Sequence, residues 1–175
     1  GTAVVVGAIN WALIDLGRIH PMIATLVTFT GLQAVSLILR PTPGGVISRS
    51  ITSGLTAKIG PVPITFVVVL VIALVLTWCL FRTRGGIVLR AVGSDERTAQ
   101  MNALRPKLVR FAVYVGASLI AAFGAIILMA QLGSGDPAGG TSYTLASISA
   151  AVIGGIALTG GRGSFIGAIA GALLI

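Results

Sequence analysis

The chain has 175 residues, of which 55% are hydrophobic and only 9% charged, and it carries a formal net charge of +8. An ordinary soluble domain holds roughly 25% charged residues, and a small one cannot hide this much apolar surface from water, so the composition excludes a soluble globular fold. Nor does the basic balance indicate nucleic acid, because Lys and Arg punctuate apolar stretches and form no basic face interleaved with aromatics.

A mean hydropathy of +1.04 points to lipid as the solvent. The 24 glycines agree, since small residues let helices approach closely in a bilayer. Gly1 to Ile14 is a first apolar stretch that runs into the chain start. Asp15 to Pro21 is a tight link, with Pro21 suited to the first turn of a helix, and Met22 to Leu39 is uncharged and long enough to span. Arg40 to Pro63 is rich in Pro, Gly, Ser and Thr and reads as an extramembrane loop. Ile64 to Phe81 is a second full-length span, Arg82 to Arg110 a long basic loop, and Phe111 to Leu132 a third span. Gly133 to Gly140 reads as a turn, Thr141 to Gly161 as another uncharged stretch, Gly160 to Ser164 as a tight glycine turn, and Gly163 to Ile175 as a last apolar segment. The expected fold is all-α, a polytopic transmembrane bundle with about six membrane segments. Residues 1–175 read as a single transmembrane domain truncated at both ends. There is no initiating Met, no signal peptide is visible, and both termini lie inside apolar stretches.

Alternating the loops places Arg18, Arg82, Arg84, Arg90, Arg97, Arg105, Lys107, Arg110 and Arg162 on one side and Arg40, Arg49 and Lys58 on the other. The excess of Lys and Arg assigns the first side, and with it residues 82–110, to the cytoplasm. Asp136 and the loop from Arg40 to Pro63 then face outward.

Within the basic loop, Ser94 is a good N-cap, and Asp95 and Glu96 put negative charge on a first turn, where the helix dipole favours it. Arg97 at the third helical position leaves no reciprocal capping box, and Pro106 disfavours continuation beyond Arg105. The expected helix, Asp95 to Leu104, is too short and polar to span a membrane and marginal alone in water. It either docks into a cytoplasmic partner or lies solvated along the membrane surface. Further on, Gly154-Gly155 interrupts one apolar segment, Gly160-Gly161-Arg162-Gly163 makes a turn, and Gly163, Gly167 and Gly171 recur every four residues. That spacing lines a helix face with small residues for close packing, and glycine pairs can also relax a helix beside a wet cavity.

Other chemistry is sparse. Cys79 sits in an apolar run as a small hydrophobe, and His20 at a helix boundary reads as an interfacial side chain. Asp15 and Arg18 read as an ion pair at a helix end. No phosphate-binding loop occurs, so the chain is not expected to bind or hydrolyse ATP; no metal cluster and no cofactor are expected either. The apparent membrane core holds essentially no ionisable group, which argues against an ion-coupled carrier and suits a neutral substrate. Candidate pathway-lining residues are Asn10, Thr25, Thr28, Gln33, Ser36, Ser118 and Gln131, although Ser and Thr in such helices usually bond to backbone.

The run from Tyr143 through Gly154-Gly155 and Gly160-Gly161-Arg162-Gly163 to Leu174 resembles the C-terminal signature of permease subunits of monosaccharide ABC importers of the ribose/xylose type. Ala91-Val-Gly-Ser-Asp-Glu-Arg-Thr-Ala99 resembles that family's cytoplasmic coupling segment. Gly17-Arg-Ile-His-Pro-Met-Ile-Ala-Thr-Leu26 and Gly7-Ala-Ile-Asn10 resemble its earlier helices. Asp95 stands where the family often has Asn, and Ala103-Leu104 where it often has Gly before an aliphatic residue.

The resemblance implies a multi-pass protein of the bacterial inner membrane. It implies an ATPase-coupling helix that includes Gly93, Ser94, Asp95, Glu96, Arg97, Ala99 and Leu104. The implied partners are cytoplasmic ATPase subunits, a periplasmic or surface sugar-binding protein and a second permease subunit. Import of nucleosides or branched-chain amino acids, and a channel or secondary carrier without an ATPase, are alternatives.

Overall fold

In lipid an apolar segment must satisfy its own backbone hydrogen bonds, so long uncharged runs become helices. The computed structural model describes residues 1–42, 44–45, 58–59, 62–95, 99, 101, 105–137, 139–157 and 163–175. Its elements, in order, are α1 (Thr2–Asp15), α2 (Pro21–Leu39), a minimal hairpin of β1 (Lys58–Ile59) and β2 (Val62–Pro63), α3 (Ile64–Arg82), α4 (Arg84–Ser94), α5 (Pro106–Leu132), α6 (Thr141–Ile153) and α7 (Phe165–Leu174). In the hairpin, Lys58 stands opposite Pro63 and Ile59 opposite Val62. The fold is all-α apart from this ornament inside an expected loop.

α2, α3 and α5 are each long and apolar enough to cross a membrane, and α1, α6 and α7 are shorter apolar helices. Burial inverts the soluble pattern. Among the described residues the buried hydrophobic ones, besides Ile14 and Ile127, are alanines such as Ala24, Ala130 and Ala150, whereas Ile38, Leu39, Leu145 and Trp78 are largely exposed. Large apolar side chains outside and small ones at helix contacts are what lipid-embedded packing requires.

The chain divides into two compact units, residues 1–56 with 110–140 and residues 57–109 with 141–175. In the first, α1 packs on α2 through the short link after Asp15, and Pro21 occupies the first turn of α2 as expected. The expected Asp15–Arg18 pair is corrected: Arg18 lies beyond the end of α1, exposed and with φ 51. It no longer shares a helix face with Asp15, which pairs instead with Arg110 at 3.5 Å.

The second unit differs from expectation in two places. The stretch read as a loop after Arg82 opens with α4, so Ser94 ends a helix, and its hydroxyl donates to the Ala91 carbonyl at 3.0 Å. Asp95 is extended, and its carbonyl accepts from the Ala99 N–H at 3.1 Å. Ala99 and Met101 are helical; Glu96, Arg97 and Leu104 lie outside the described residues.

The uncharged stretch from Thr141 also stops early. α6 closes at Ile153 with a paired C-terminal motif: the Ile156 N–H donates to the Ala151 carbonyl at 3.0 Å and the Gly155 N–H to the Val152 carbonyl at 3.0 Å. Gly155 sits at φ 79, a left-handed conformation open to glycine at little cost. At 1.5 Å rise per residue α6 is about 20 Å long, short of the roughly 30 Å hydrocarbon core.

Candidate functional site

In the first unit a seam joins α1 to α5. Gly7, Trp11 and Asp15 follow one another at four-residue spacing, which places them on one face of α1. Gly7 lies against the α5 backbone so closely that a Cβ there would come within 2.7 Å of Val115 Cα. Trp11 meets Phe111 edge to face, with centroids 5.4 Å apart and planes at 86°. Asp15, with its side chain 4% exposed, reaches the Arg110 guanidinium, which is 32% exposed. The order of these contacts makes the two helices antiparallel. At the opposite end of this unit, Gly44 and Gly135 exchange backbone hydrogen bonds of 3.1 and 3.2 Å, joining the segment after α2 to the turn after α5. Arg40 donates to the Gly44 carbonyl there at 3.1 Å.

The candidate pathway residues all fall in this unit, on three helices. Thr25 donates to the Pro21 and Met22 carbonyls at 3.0 and 3.1 Å and Thr28 to the Ala24 carbonyl at 3.0 Å. Both hydroxyls are therefore engaged within their own helix. Asn10 differs: its Oδ1 is buried and accepts no hydrogen bond among the described residues. Gln33, Ser36 and Ser118 are half-buried and Gln131 is exposed. Among the described residues no hydrogen bond joins any two of these side chains.

In the second unit Thr83 is a two-sided joint. Its hydroxyl donates to the Cys79 carbonyl, closing α3, and accepts from the Gly86 N–H at 3.2 Å, opening α4. Gly86 is buried because a Cβ there would collide with the Cys79 and Leu80 carbonyls. Arg90 lies 4.5 Å over the Phe81 ring, tying the middle of α4 to the last turn of α3. Gly93, Ser94 and Asp95 follow as an exposed corner.

The same unit holds the glycine seam. A Cβ on Gly154 would overlap the Gly167 carbonyl, one on Gly167 the Gly154 carbonyl, and one on Gly171 the Ala150 carbonyl. α6 and α7 thus meet antiparallel, backbone to backbone. Gly163 abuts Ile156, and the Ser164 hydroxyl caps α7 by accepting from the Gly167 N–H at 3.0 Å. Gly160, Gly161 and Arg162 lie outside the described residues. Among the described residues no group of His, Cys, Asp and Glu is gathered to hold a metal.

A family model described as "Branched-chain amino acid transport system / permease component" matches residues 1–175. The chain belongs to this permease family. It is 30% identical to the ribose import permease protein of Escherichia coli K12 over 178 residues, covering 97% of the chain and 54% of the relative. Identity to the ribose import permease protein of Bacillus subtilis strain 168 is 35% over 174 residues, 95% of the chain and 52% of the relative. The fructose import permease protein of Rhizobium meliloti is 32% identical over 185 residues, 100% of the chain and 51% of the relative. The chain therefore spans about half the length of the relatives it matches, and no solved structure matches it. With three apolar helices of spanning length among the described residues, this permease is a multi-pass membrane protein.

Several positions of this permease escape a reading of the sequence alone. Thr83 carries a legible signal, a capping residue directly after an apolar run, but the Gly-Gly that follows disguises the helix it starts. Gly7, Trp11 and Asp15 carry a four-residue spacing. Arg110 carries none, because its partner lies on a distant helix.

Proposed function

We propose that this chain is part of the membrane-spanning subunit of an ATP-driven importer of a monosaccharide in the bacterial inner membrane. The observation that carries the reading is the similarity, over nearly the whole chain, to proteins named as ribose and fructose import permeases. Two physical features support it. The spanning helices α2 and α3 carry no charge between Met22 and Leu39 or between Ile64 and Phe81, as suits a neutral, hydroxyl-rich solute. Arg82, Arg84, Arg90, Arg105 and Lys107 crowd the stretch from the last residue of α3 to the first turn of α5, which supports a cytoplasmic position for residues 82–110.

In this reading separate ATPase subunits hydrolyse ATP and bear on the segment Gly93–Leu104. A sugar-binding protein delivers solute to the opposite side, and a second permease subunit completes the pore. ATP must then favour one of two access states over the other by differential affinity. The glycine seams at Gly7 and at Gly154, Gly167 and Gly171 pack the helices so closely that α1–α5 and α6–α7 move as pairs. Asn10, with its buried acceptor, is the best placed of the candidate pathway residues.

The test is uptake and assembly together. Deleting Ser94–Leu104 should abolish co-purification of the ATPase subunit and ATP-driven sugar uptake, and retention of both would contradict the coupling role. A second reading, import of a branched-chain amino acid, is favoured by the description of the matching family. Uptake of leucine but of no pentose or hexose would select it.

A further inference from the structure

α3 is a spanning-length apolar helix whose last residue is Arg82, and α4 begins after the single residue Thr83. The joint is rigid, because Thr83 is bonded to both helices and Gly86 is pressed against the final carbonyls of α3. α4 therefore starts at the depth where α3 leaves the hydrocarbon, among the lipid headgroups. Its composition suits that depth. Ile87 is 60% exposed and Leu89 36%, too apolar for a face turned wholly to water, while Arg84 and Arg90 are exposed on the same helix. Arg90 also lies over Phe81, next to Arg82, and Phe81 is itself 46% exposed. Among the described residues none of Arg82, Arg84 and Arg90 forms an ion pair with a carboxylate. Three exposed guanidiniums are thus held at one corner, beside exposed apolar side chains, at the level of the phosphates.

We propose that the α3–α4 corner is a binding site for an anionic phospholipid. Arg82, Arg84 and Arg90 would engage its phosphodiester, and Ile87 and Leu89 would lie against its upper acyl chains. Guanidiniums match phosphate oxygens with forked pairs of N–H donors, and basic clusters just beyond a spanning helix attract anionic headgroups. The surrounding bilayer makes a lipid the occupant: the corner continues directly from a helix already embedded in it. The inference requires α3 to lie in a bilayer and does not depend on which solute is carried.

Trp78 supplies the probe, since it lies one turn before Arg82 on α3 and is 61% exposed. The intact transporter is reconstituted into vesicles containing brominated phosphatidylglycerol or, at equal mole fraction, brominated phosphatidylcholine. Trp78 emission is isolated by subtracting a Trp78→Phe protein. Brominated phosphatidylglycerol should quench more strongly, with a relative association constant of about tenfold at low salt that falls as salt screens it.

The R82Q/R84Q/R90Q variant should lose the preference while still co-purifying with its ATPase subunit. The single Arg84→Gln change, at an exposed position, should lose part of it and guards against misfolding of the triple variant. Equal quenching by the two lipids, or a preference that survives the triple substitution, would overturn the site. So would a variant that keeps its lipid preference but loses the ATPase subunit, because the arginines would then serve a protein partner. Soluble glycerol phosphate should not restore equal quenching; if it does, a free phosphate ester and not a lipid is the ligand, and the proposal fails.

Discussion

Arg110→Gln should destabilise this permease markedly more than Asp15→Asn, although both remove the same ion pair. The Asp15 side chain is 4% exposed and Arg110 is 32% exposed. Removing one partner of a buried pair costs roughly 3–5 kcal/mol, because the remaining charge has lost its compensation in a poorly polarisable setting. Without the Arg110 guanidinium the Asp15 carboxylate stays buried with one charged partner fewer, so the cost should approach the lower end of that range, about 3 kcal/mol. Without the carboxylate, the partly exposed Arg110 side chain can turn towards water, and about 1 kcal/mol is expected, as for a solvent-exposed pair. Helix polarity widens the gap. Asp15 is the last residue of α1, where the carbonyl end disfavours a carboxylate, so Asn relieves a few tenths of a kcal/mol. The double variant should cost clearly less than the sum of the two, with a coupling of about 1 kcal/mol or more. Reversible unfolding in mixed detergent micelles, run as a double-mutant cycle, measures all three. Equal costs, the opposite order or simple additivity would refute the reasoning.

Glycine substitutions should divide sharply by position. Gly171→Ala, whose Cβ would collide with the Ala150 carbonyl, should prevent α6–α7 closure and lower folded yield several-fold in size-exclusion profiles. Gly116→Ala and Gly124→Ala, which meet nothing within 4 Å, should be neutral or stabilise by up to about 1 kcal/mol through helix propensity. Thr83→Ala should cost about 1 kcal/mol through loss of the cap, with faster amide exchange confined to residues 84–88, and Thr83→Ser should restore protection. Trp11→Leu should lose about 1 kcal/mol of edge-to-face contact with Phe111, and that loss should shrink in a Phe111→Leu background when measured by thermal unfolding.

The spans were the most legible part of this chain. A run such as Ile64 to Phe81, uncharged and apolar throughout, has no stable conformation in lipid other than helix, and its ends are marked by Pro63 and Arg82. The spacing of Gly167 and Gly171 was readable as a small-residue face, whereas Gly163 lies before the Ser164 cap, at φ 141, and not on the face of α7. α4 was hidden because Arg, Gly and Gly at its start are weak helix signals, and only tertiary contact of Gly86 with the end of α3 makes them favourable. Ser94 misled because a hydroxyl can cap a helix start or back-bond within a helix end, and the preceding helix decides which. Asp15 misled for a different reason. Arg18 was the nearest cation in sequence, but the chain turns out of the helix before reaching it, and the antiparallel packing of α1 on α5 brings Arg110 instead. Of the candidate site, the polar residues could be picked out, but which way each one faces could not, because that depends on helix rotation that single-helix patterns leave undetermined.

The most direct test of the account is solute accumulation in proteoliposomes holding the permease with the proposed ATPase subunits and binding protein. ATP supplied on the face that bears residues 82–110 should drive uptake of a labelled pentose or hexose against its gradient, with no requirement for a proton or sodium gradient. Accumulation that ignores ATP and follows an ion gradient would contradict it.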